Sequence, residues 1–403
     1  MSAAIRQYLV ITGNYWAFTL TDAALRMLVV LHFHQLGYSP LSIALLFVFY
    51  EFFGVVTNLV GGYLGARMGL NRTMNIGLFL QIVALVMLAV PAALLTVPWV
   101  MAAQALSGIA KDLNKMSAKS GIKLLVPDEQ QGRLYAWVAL LTGSKNALKG
   151  LGFFLGGVLL MAAGFTGAVA AMAVALTLVW LASLFLLGQD LGKSKAKPRF
   201  REILSKSQAI NVLSAARMLL FGARDVWFVV ALPVYMATVF GWDHWQVGGF
   251  MASWIVGYGL VQTIAPRMTG HGNGKSGAIT WAALLAIVPA AIAGALAAGW
   301  PAQAVVIGGL LVFGVVFAVN SSLHSYLIVS YARSDGVSLD VGFYYMSNAA
   351  GRLLGTILSG WVYQVYGLEA CLWISAVLVA MAALFSLWLP ESTRKPTGEQ
   401  GYV

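Results

Sequence analysis

The sequence predicts an all-α polytopic membrane protein of twelve transmembrane helices in two six-helix halves related by a parallel repeat. Three observations predict it. Of 403 residues, 60% are hydrophobic and 10% charged, a balance too apolar for a water-soluble chain of this length. Apolar runs long enough to cross a bilayer, about 20 residues, recur twelve times. Charged and glycine positions of the first six runs return in the last six at an offset of about 203.

The runs fall at 8–35, 42–64, 74–96, 98–122, 134–162, 168–188, 209–239, 247–267, 277–299, 302–329, 341–366 and 370–389. The opening MSAAIRQ is too short and too weakly basic for a cleaved leader, so the first run is expected to stay as a helix. Turn residues separate the runs: Gly37-Tyr38-Ser39-Pro40, Pro98, Pro127-Asp128, Gly241-Trp242-Asp243, Gly299-Trp300-Pro301 and Gly367. A basic polar stretch at 189–207 links a first half, 1–188, to a second, 208–403, which ends in a short tail. The single cysteine, Cys371, excludes an internal disulfide and reads as a small core residue.

The net charge of +11 would suggest nucleic acid in a soluble protein; here its placement reports orientation. With the N-terminus inside, the inner loops hold Arg67, Arg72, Arg133, Lys193, Lys195, Lys197, Arg199, Arg201, Lys206, Arg267, Lys275, Arg333, Arg394 and Lys395. The six outer loops hold no lysine or arginine. Both termini are therefore expected in the cytoplasm.

The repeat places Asp22 on Asp225 and Gly54 on Gly257, and Gly37 within one of Gly241. Lys149, Gly152 and Gly157 fall on Arg352, Gly355 and Gly360, and Arg67-Met68 echoes Arg267-Met268. Parallel six-span repeats joined by a cytoplasmic linker resemble the major facilitator superfamily, whose substrate site lies between the halves at mid-membrane. Gly62 to Arg72, GYLGARMGLNR, resembles its loop 2–3 signature and implies a cytoplasmic gate at Arg67 and Arg72. Ala66 stands where that signature has aspartate. Gly152-Phe-Phe-Leu-Gly156-Gly157 resembles the antiporter glycine motif without its proline, and such small residues also serve close helix packing.

Charges inside the runs carry the functional signal. The cations are Arg26, Lys111, Lys115, Lys145, Lys149, Arg217, Arg224 and Arg352, with Lys119 and Lys123 nearer the inner surface. The acids are Asp22, Glu51, Asp112 and Asp225. Each mid-membrane charge facing lipid would cost roughly 3 kcal/mol or more, so these groups line a wet cavity or pair with one another. Pairing is open to Asp22 with Arg26 at i, i+4, whereas Lys111–Asp112 and Arg224–Asp225 are adjacent and point differently. Eight cations against four acids leave an excess that pairing cannot remove. A positive cavity selects an anion with more than one charge.

Lys111, Lys115 and Lys119 lie at i, i+4 and i+8 on one helical face. Lys115 and Lys119 also read as snorkelling toward headgroups, and Lys119 with Lys123 as an inner mouth. Arg26 and Arg224 resemble, in placement, the paired arginines of organophosphate carriers. Tyr15 and Tyr258 are candidate cavity walls; Trp16, Tyr344, Tyr345 and Trp361 are wall or ordinary core. Proton coupling needs a titratable group, for which Asp22, Glu51, Asp112, Asp225 and His324 are candidates; His32 and His34 read as interfacial.

Four stretches narrow the resemblance: Tyr8 to Asp22 (YLVITGNYWAFTLTD), Phe49 to Gly54 (FYEFFG), Leu106 to Lys119 (LSGIAKDLNKMSAK) and Gly143 to Gly152 (GSKNALKGLG). They are similar to the ArsJ-type organoarsenical efflux permeases over nearly the whole chain. That resemblance implies export of 1-arseno-3-phosphoglycerate, made by a partner glyceraldehyde-3-phosphate dehydrogenase from arsenate, and hence arsenate resistance. A monomer in the bacterial inner membrane is expected, with proton-coupled export as the first expectation; the residues do not separate proton antiport from anion exchange. The residues alone suit an organophosphate or organic-anion exchanger equally. An enzyme is not expected: His-Glu-x-x-His and Gly-x-Ser-x-Gly are missing, and Gly274-Lys275-Ser276 lacks P-loop spacing. No cofactor, metal or nucleic acid is called for.

Overall fold

The computed structural model describes residues 3–38, 46–127, 129–187, 191–194, 207–269 and 274–390. Their regular structure is helical, with no strand among the described residues. The first helices are α1 (Ala3–Gln35), α2 (Val48–Met68), α3 (Leu70–Leu88) and α4 (Val97–Leu125). The continuous assignment Gln131–Leu186 runs 56 residues, far beyond one membrane crossing, and breaks at Gly164, φ 67 and ψ 178. That conformation is open to glycine, and it divides the segment into α5 (131–163) and α6 (165–186). Then follow α7 (Gln208–Val239), α8 (His244–Thr269), α9 (Gly274–Ala297) and α10 (Ala302–Tyr331). Val337–Ser386 reverses at Gly367, φ 79 and ψ −176, giving α11 (337–366) and α12 (368–386).

Among the described residues, twelve helical segments thus stand where twelve apolar runs were expected. The third differs: α3 stops at Leu88 rather than continuing to 96. Pro91 cannot extend the helical ladder, and a 3₁₀ turn at Ala92–Leu94 leads to α4, which opens with Pro98 in its first turn. Within α7 the ladder is interrupted between Phe228 and Ala231, ahead of Pro233. The hydroxyl of Ser359 on α11 accepts from the Val230 and Ala231 amides at 3.4 and 3.1 Å.

The repeat appears in the packing. Gly152 of α5 lies where a Cβ would come within 2.6 Å of the Ala23 Cβ on α1. Gly355 of α11 lies where a Cβ would come within 2.6 Å of the Gly222 carbonyl on α7 and 3.0 Å of the Asp225 Cβ. The α5 glycines therefore serve close helix approach, and Gly156 adds to it against Ala24.

One apolar cluster is confined to the first six helices, from Phe18 to Leu176, and another to the last six, from Ala216 to Ala383. A third joins both, and it lies at the end where α1 begins. We call this the basic end, since Arg67, Arg72, Arg133, Arg267 and Arg333 are there. Tyr135 of α5 stacks on Tyr326 of α10 at 4.6 Å. Gly62 of α2 approaches Gly342 of α11 so closely that a Cβ on Gly342 would lie 2.9 Å from the Gly62 Cα, and the Ser338 hydroxyl donates to the Gly62 carbonyl at 2.7 Å. Of the stretch expected as a linker, residues 191–194 and Ser207 are described; Lys195, Lys197, Arg199, Arg201 and Lys206, like Arg394 and Lys395, lie outside the described residues. Ser194 donates its amide to the Ala66 carbonyl at 2.8 Å and its hydroxyl to Asp335 at 2.7 Å.

Candidate functional site

Between the halves lies a cavity of about 170 Å³. At about 30 Å³ per water it holds roughly five or six waters, the scale of a small polar solute rather than a drug-sized ligand. All nine residues expected to touch substrate line it: Tyr15, Arg26, Lys111, Lys115, Lys145, Lys149, Arg224, Tyr258 and Arg352.

The α4 wall is set by glycine and a carboxylate. Gly108 lets α4 cross α2 at Tyr50, whose carbonyl would be 2.6 Å from an added Cβ. One turn on, Asp112 takes the Lys115 ammonium at 2.5 Å and Lys111 at 3.9 Å. It is 1% exposed, in space left by Gly54, where a Cβ would come within 2.9 Å of its Oδ2. Tyr50 reaches from α2 between the remaining charges. Its hydroxyl donates to Asp22 at 2.8 Å, and its ring lies under Lys111 at 3.8 Å and Arg26 at 4.5 Å.

The expected pairing of Asp22 with Arg26 is therefore corrected, and so is the expectation that Lys111–Asp112 and Arg224–Asp225 point apart, since Lys111 lies 3.9 Å from Asp112. Asp22 does not pair with Arg26 one turn along α1; Tyr50 holds Asp22, and Arg26 turns to Glu51 on α2 at 3.4 Å. Arg224 and Asp225 do not point apart. The long guanidinium folds back onto its neighbour at 2.6 Å, and Arg352 closes on the same carboxylate at 3.2 Å. Because Arg352 also lies 3.9 Å from Glu51, a chain Arg26–Glu51–Arg352–Asp225–Arg224 runs from one half to the other. Asp225 itself is fully buried behind the wall.

The snorkelling reading of Lys115 and Lys119 is also corrected. Lys119 is 4% exposed and turns into the bundle, donating to Thr142 of α5 at 2.8 Å and Ser325 of α10 at 3.4 Å. Its partners thus sit on two neighbouring helices inside the bundle. Lys123 donates to the Ser330 carbonyl at 3.4 Å under the closed basic end. Arg217, a span cation assigned no role from sequence, lines the cavity and binds the Asn348 side chain at 2.9 Å and the Ser321 carbonyl at 3.2 Å.

Nine cations thus line the cavity: Arg26, Lys111, Lys115, Lys119, Lys145, Lys149, Arg217, Arg224 and Arg352. Against them stand four carboxylates, Asp22, Glu51, Asp112 and Asp225, leaving a formal excess of five. Exposure rises away from the basic end. Lys119 is 4% exposed, whereas the Glu51 and Arg352 side chains are 37% and 35% exposed. The cavity is closed toward the basic end and open toward the other.

Other candidates are placed elsewhere. His324 is buried in α10 behind the lining, and its Nδ1 makes no hydrogen bond. Trp16 and Trp361 are on the outer surface of the bundle, and Tyr345, one of the wall-or-core aromatics, lines the cavity. Arg67 donates to Tyr63 on its own helix at 2.7 Å. Arg72 borders an apolar groove with Asn75, Phe79 and Trp180, and Gly62, Ser338 and Gly342 make the close contacts across the basic end. Sequence reasoning missed Tyr50, Thr142, Asn146, Ser321 and Asn348 as lining residues. For Tyr50 a signal existed, since it precedes Glu51 in a run otherwise of Phe and Val.

The sequence profile of the Major Facilitator Superfamily matches residues 9–339. No curated protein matches the chain. Among solved structures, the human organic anion transporter MFSD10 (TETRAN) superposes with TM-score 0.76 at 15% identity, covering 96% of this chain and all of that one. A bacterial homologue of the iron transporter ferroportin in the outward-facing state gives 0.75 at 14%, covering 96% and 99%. The E. coli fucose:proton symporter FucP gives 0.74 at 12%, covering 97% and 100%. At these identities the likeness concerns fold.

Proposed function

Because this chain belongs to the Major Facilitator Superfamily, and so is a membrane transporter working by alternating access, we propose that its cargo is a small, multiply charged anion. The observation that carries this is the formal excess of five cations in the cavity. A buried positive excess is costly until an anion compensates it. Arginine offers a planar fork and lysine a mobile point charge, which together suit phosphate-type and carboxylate groups. The cargo implied by the resemblance of the four stretches to the ArsJ-type permeases is 1-arseno-3-phosphoglycerate, supplied by glyceraldehyde-3-phosphate dehydrogenase. Its two anionic heads match cations contributed by α1, α4 and α5 on one side and α7 and α11 on the other. Halves 1–188 and 208–403, joined by a 189–207 linker, would rock about this site in a bacterial inner membrane. Both termini are cytoplasmic in this reading. The cavity then faces outward, export ends in arsenate release outside, and the carrier works as a monomer.

For energetics, one observation favours anion exchange over proton antiport. Glu51, Asp112 and Asp225 are already ion-paired, Asp22 is held by Tyr50 and His324 is buried behind the lining, so each of the five coupling candidates would have to leave its present surroundings to shuttle a proton.

The test is arsenic uptake into everted membrane vesicles supplied with the dehydrogenase, its substrate and arsenate. We expect uptake by the wild type and none by Lys111→Gln, Lys149→Gln or Arg352→Gln at equal membrane abundance. Wild-type rates in all three variants would sink the cationic-site reading. Uptake that ignores a protonophore but requires trapped phosphate supports exchange. Uptake driven by an inward-acid gradient alone supports proton antiport.

A further inference from the structure

The nine cavity cations divide by what already neutralises them. Arg26, Lys111, Lys115, Arg224 and Arg352 each hold a carboxylate. Among the described residues, Lys119, Lys145, Lys149 and Arg217 have no carboxylate within ion-pair distance. Two of these four are also the most buried cations of the cavity, Lys119 at 4% and Arg217 at 3% exposed, and they come from opposite halves.

Their hydrogen bonds go to neutral groups and leave donors over. Lys119 spends two of its three N–H groups on Thr142 and Ser325. Arg217 spends its Nε–H on Asn348 and one terminal nitrogen on the Ser321 carbonyl, which leaves the other terminal nitrogen unused. Beside them the Tyr345 ring lies 5.1 Å from the Lys119 ammonium, and its buried hydroxyl makes no hydrogen bond of normal geometry. Thr142, Ser321, Tyr345 and Asn348 line the same cavity. Buried cations facing neutral dipoles with donors to spare lack one partner type, an oxyanion.

We propose that Lys119 and Arg217 form a deep oxyanion subsite that takes a phosphate-type head of the cargo. Lys145 borders the same cavity, and the Tyr345 hydroxyl is an added donor. The chain Arg26–Glu51–Arg352–Asp225–Arg224 lies on the open side, where its carboxylates already occupy the arginines; it meets the other end of the molecule. The cargo is thereby read by its two ends differently: one head enters an uncompensated cationic pocket, the other competes with built-in carboxylates. Discrimination follows. A single oxyanion such as inorganic phosphate suffices for the deep subsite, while the distance between tiers selects two-headed molecules.

This inference rests on the anion-carrier reading, and the experiment separates the two. Binding of inorganic phosphate and of 3-phosphoglycerate to the purified full chain in nanodiscs is measured by titration calorimetry. We expect Lys119→Gln and Arg217→Gln each to weaken phosphate binding roughly 10- to 100-fold, the worth of a charged hydrogen bond. Lys119→Arg should stay within about threefold of wild type, since the charge remains, and Lys111→Gln should change phosphate affinity less than either deep-site variant. Wild-type binding of 3-phosphoglycerate with unchanged phosphate affinity in both deep variants overturns the subsite and leaves the carrier reading standing. No binding of either anion by the wild type overturns both. Should a deep variant fail to fold, Thr142→Cys in a Cys371→Ser background keeps the question open to test. Phosphate should slow its alkylation, and an unchanged rate at saturating phosphate overturns the subsite.

Discussion

Replacing Asp112 by Asn removes the carboxylate that two lysines share, Lys115 at 2.5 Å and Lys111 at 3.9 Å. Asn has the same shape, so the substitution opens no void and its effect is electrostatic. Removing one partner of a buried ion pair costs about 3–5 kcal/mol, because the remaining charge stays buried. Here the Lys111 and Lys115 side chains keep 20% and 16% exposure to the cavity, so water recovers part of the loss. We expect about 3 kcal/mol, the low end of that range. At roughly 2 °C per kcal/mol for a large chain, the midpoint should fall by about 6 °C. The assay is thermal unfolding of the purified protein in nanodiscs, followed by tryptophan fluorescence. Asp112→Asn with Lys115→Gln should restore most of the midpoint, since the second change removes the orphaned charge. A single variant as stable as wild type, or a double variant less stable than the single, would falsify the view that Asp112 exists to compensate the α4 lysines.

Two further outcomes follow from other contacts. Gly342→Val places side-chain carbons where even an added Cβ would lie 2.6 Å from the Asn58 carbonyl; it should hold the basic end apart, raise alkylation of a cysteine at Tyr326 roughly tenfold (about 1.4 kcal/mol) and abolish transport, whereas unchanged alkylation with normal transport counts against a seal at this point. Glu51→Gln frees Arg26 and Arg352 from a partly exposed carboxylate; 3-phosphoglycerate should then bind about three- to tenfold more tightly, in line with the modest worth of such pairs, and equal or weaker binding removes Glu51 as an internal competitor.

The twelve-helix plan was legible because hydropathy over twenty residues is a strong local signal, and glycines such as Gly164 and Gly367 punctuate it. The cavity cations were legible for a related reason: a charge such as Lys149 inside an apolar run has few affordable environments. Partner choice was not legible. Asp22 and Arg26 are neighbours on one helix, yet Tyr50 and Glu51 from α2 take both, and only packing decides that competition. Lys119 looked able to reach the headgroups because its own helix offers that route; Thr142 and Ser325 lie 23 and 206 residues away in sequence. Neutral lining residues such as Asn146 and Asn348 carry no energetic flag, since an amide inside a bundle is common.

The end of the bundle richest in arginine is sealed in large part by apolar packing between the halves. Its closing contacts include the Gly62–Gly342 approach, the Ser338 hydroxyl on a carbonyl, and the Tyr135–Tyr326 stack within a shared apolar cluster, beside polar contacts such as the Tyr326 and Ser330 hydroxyls on Gln131 at 3.2 and 3.1 Å. Burial of apolar surface carries a large negative heat-capacity change and weakens on cooling. The balance between the two faces of this carrier is therefore in part a thermal quantity: cold loosens the apolar packing of the basic end and warmth tightens it. Alkylation at position 326 measured across a temperature series reads that heat capacity directly, and a flat series would assign the seal to polar contacts instead.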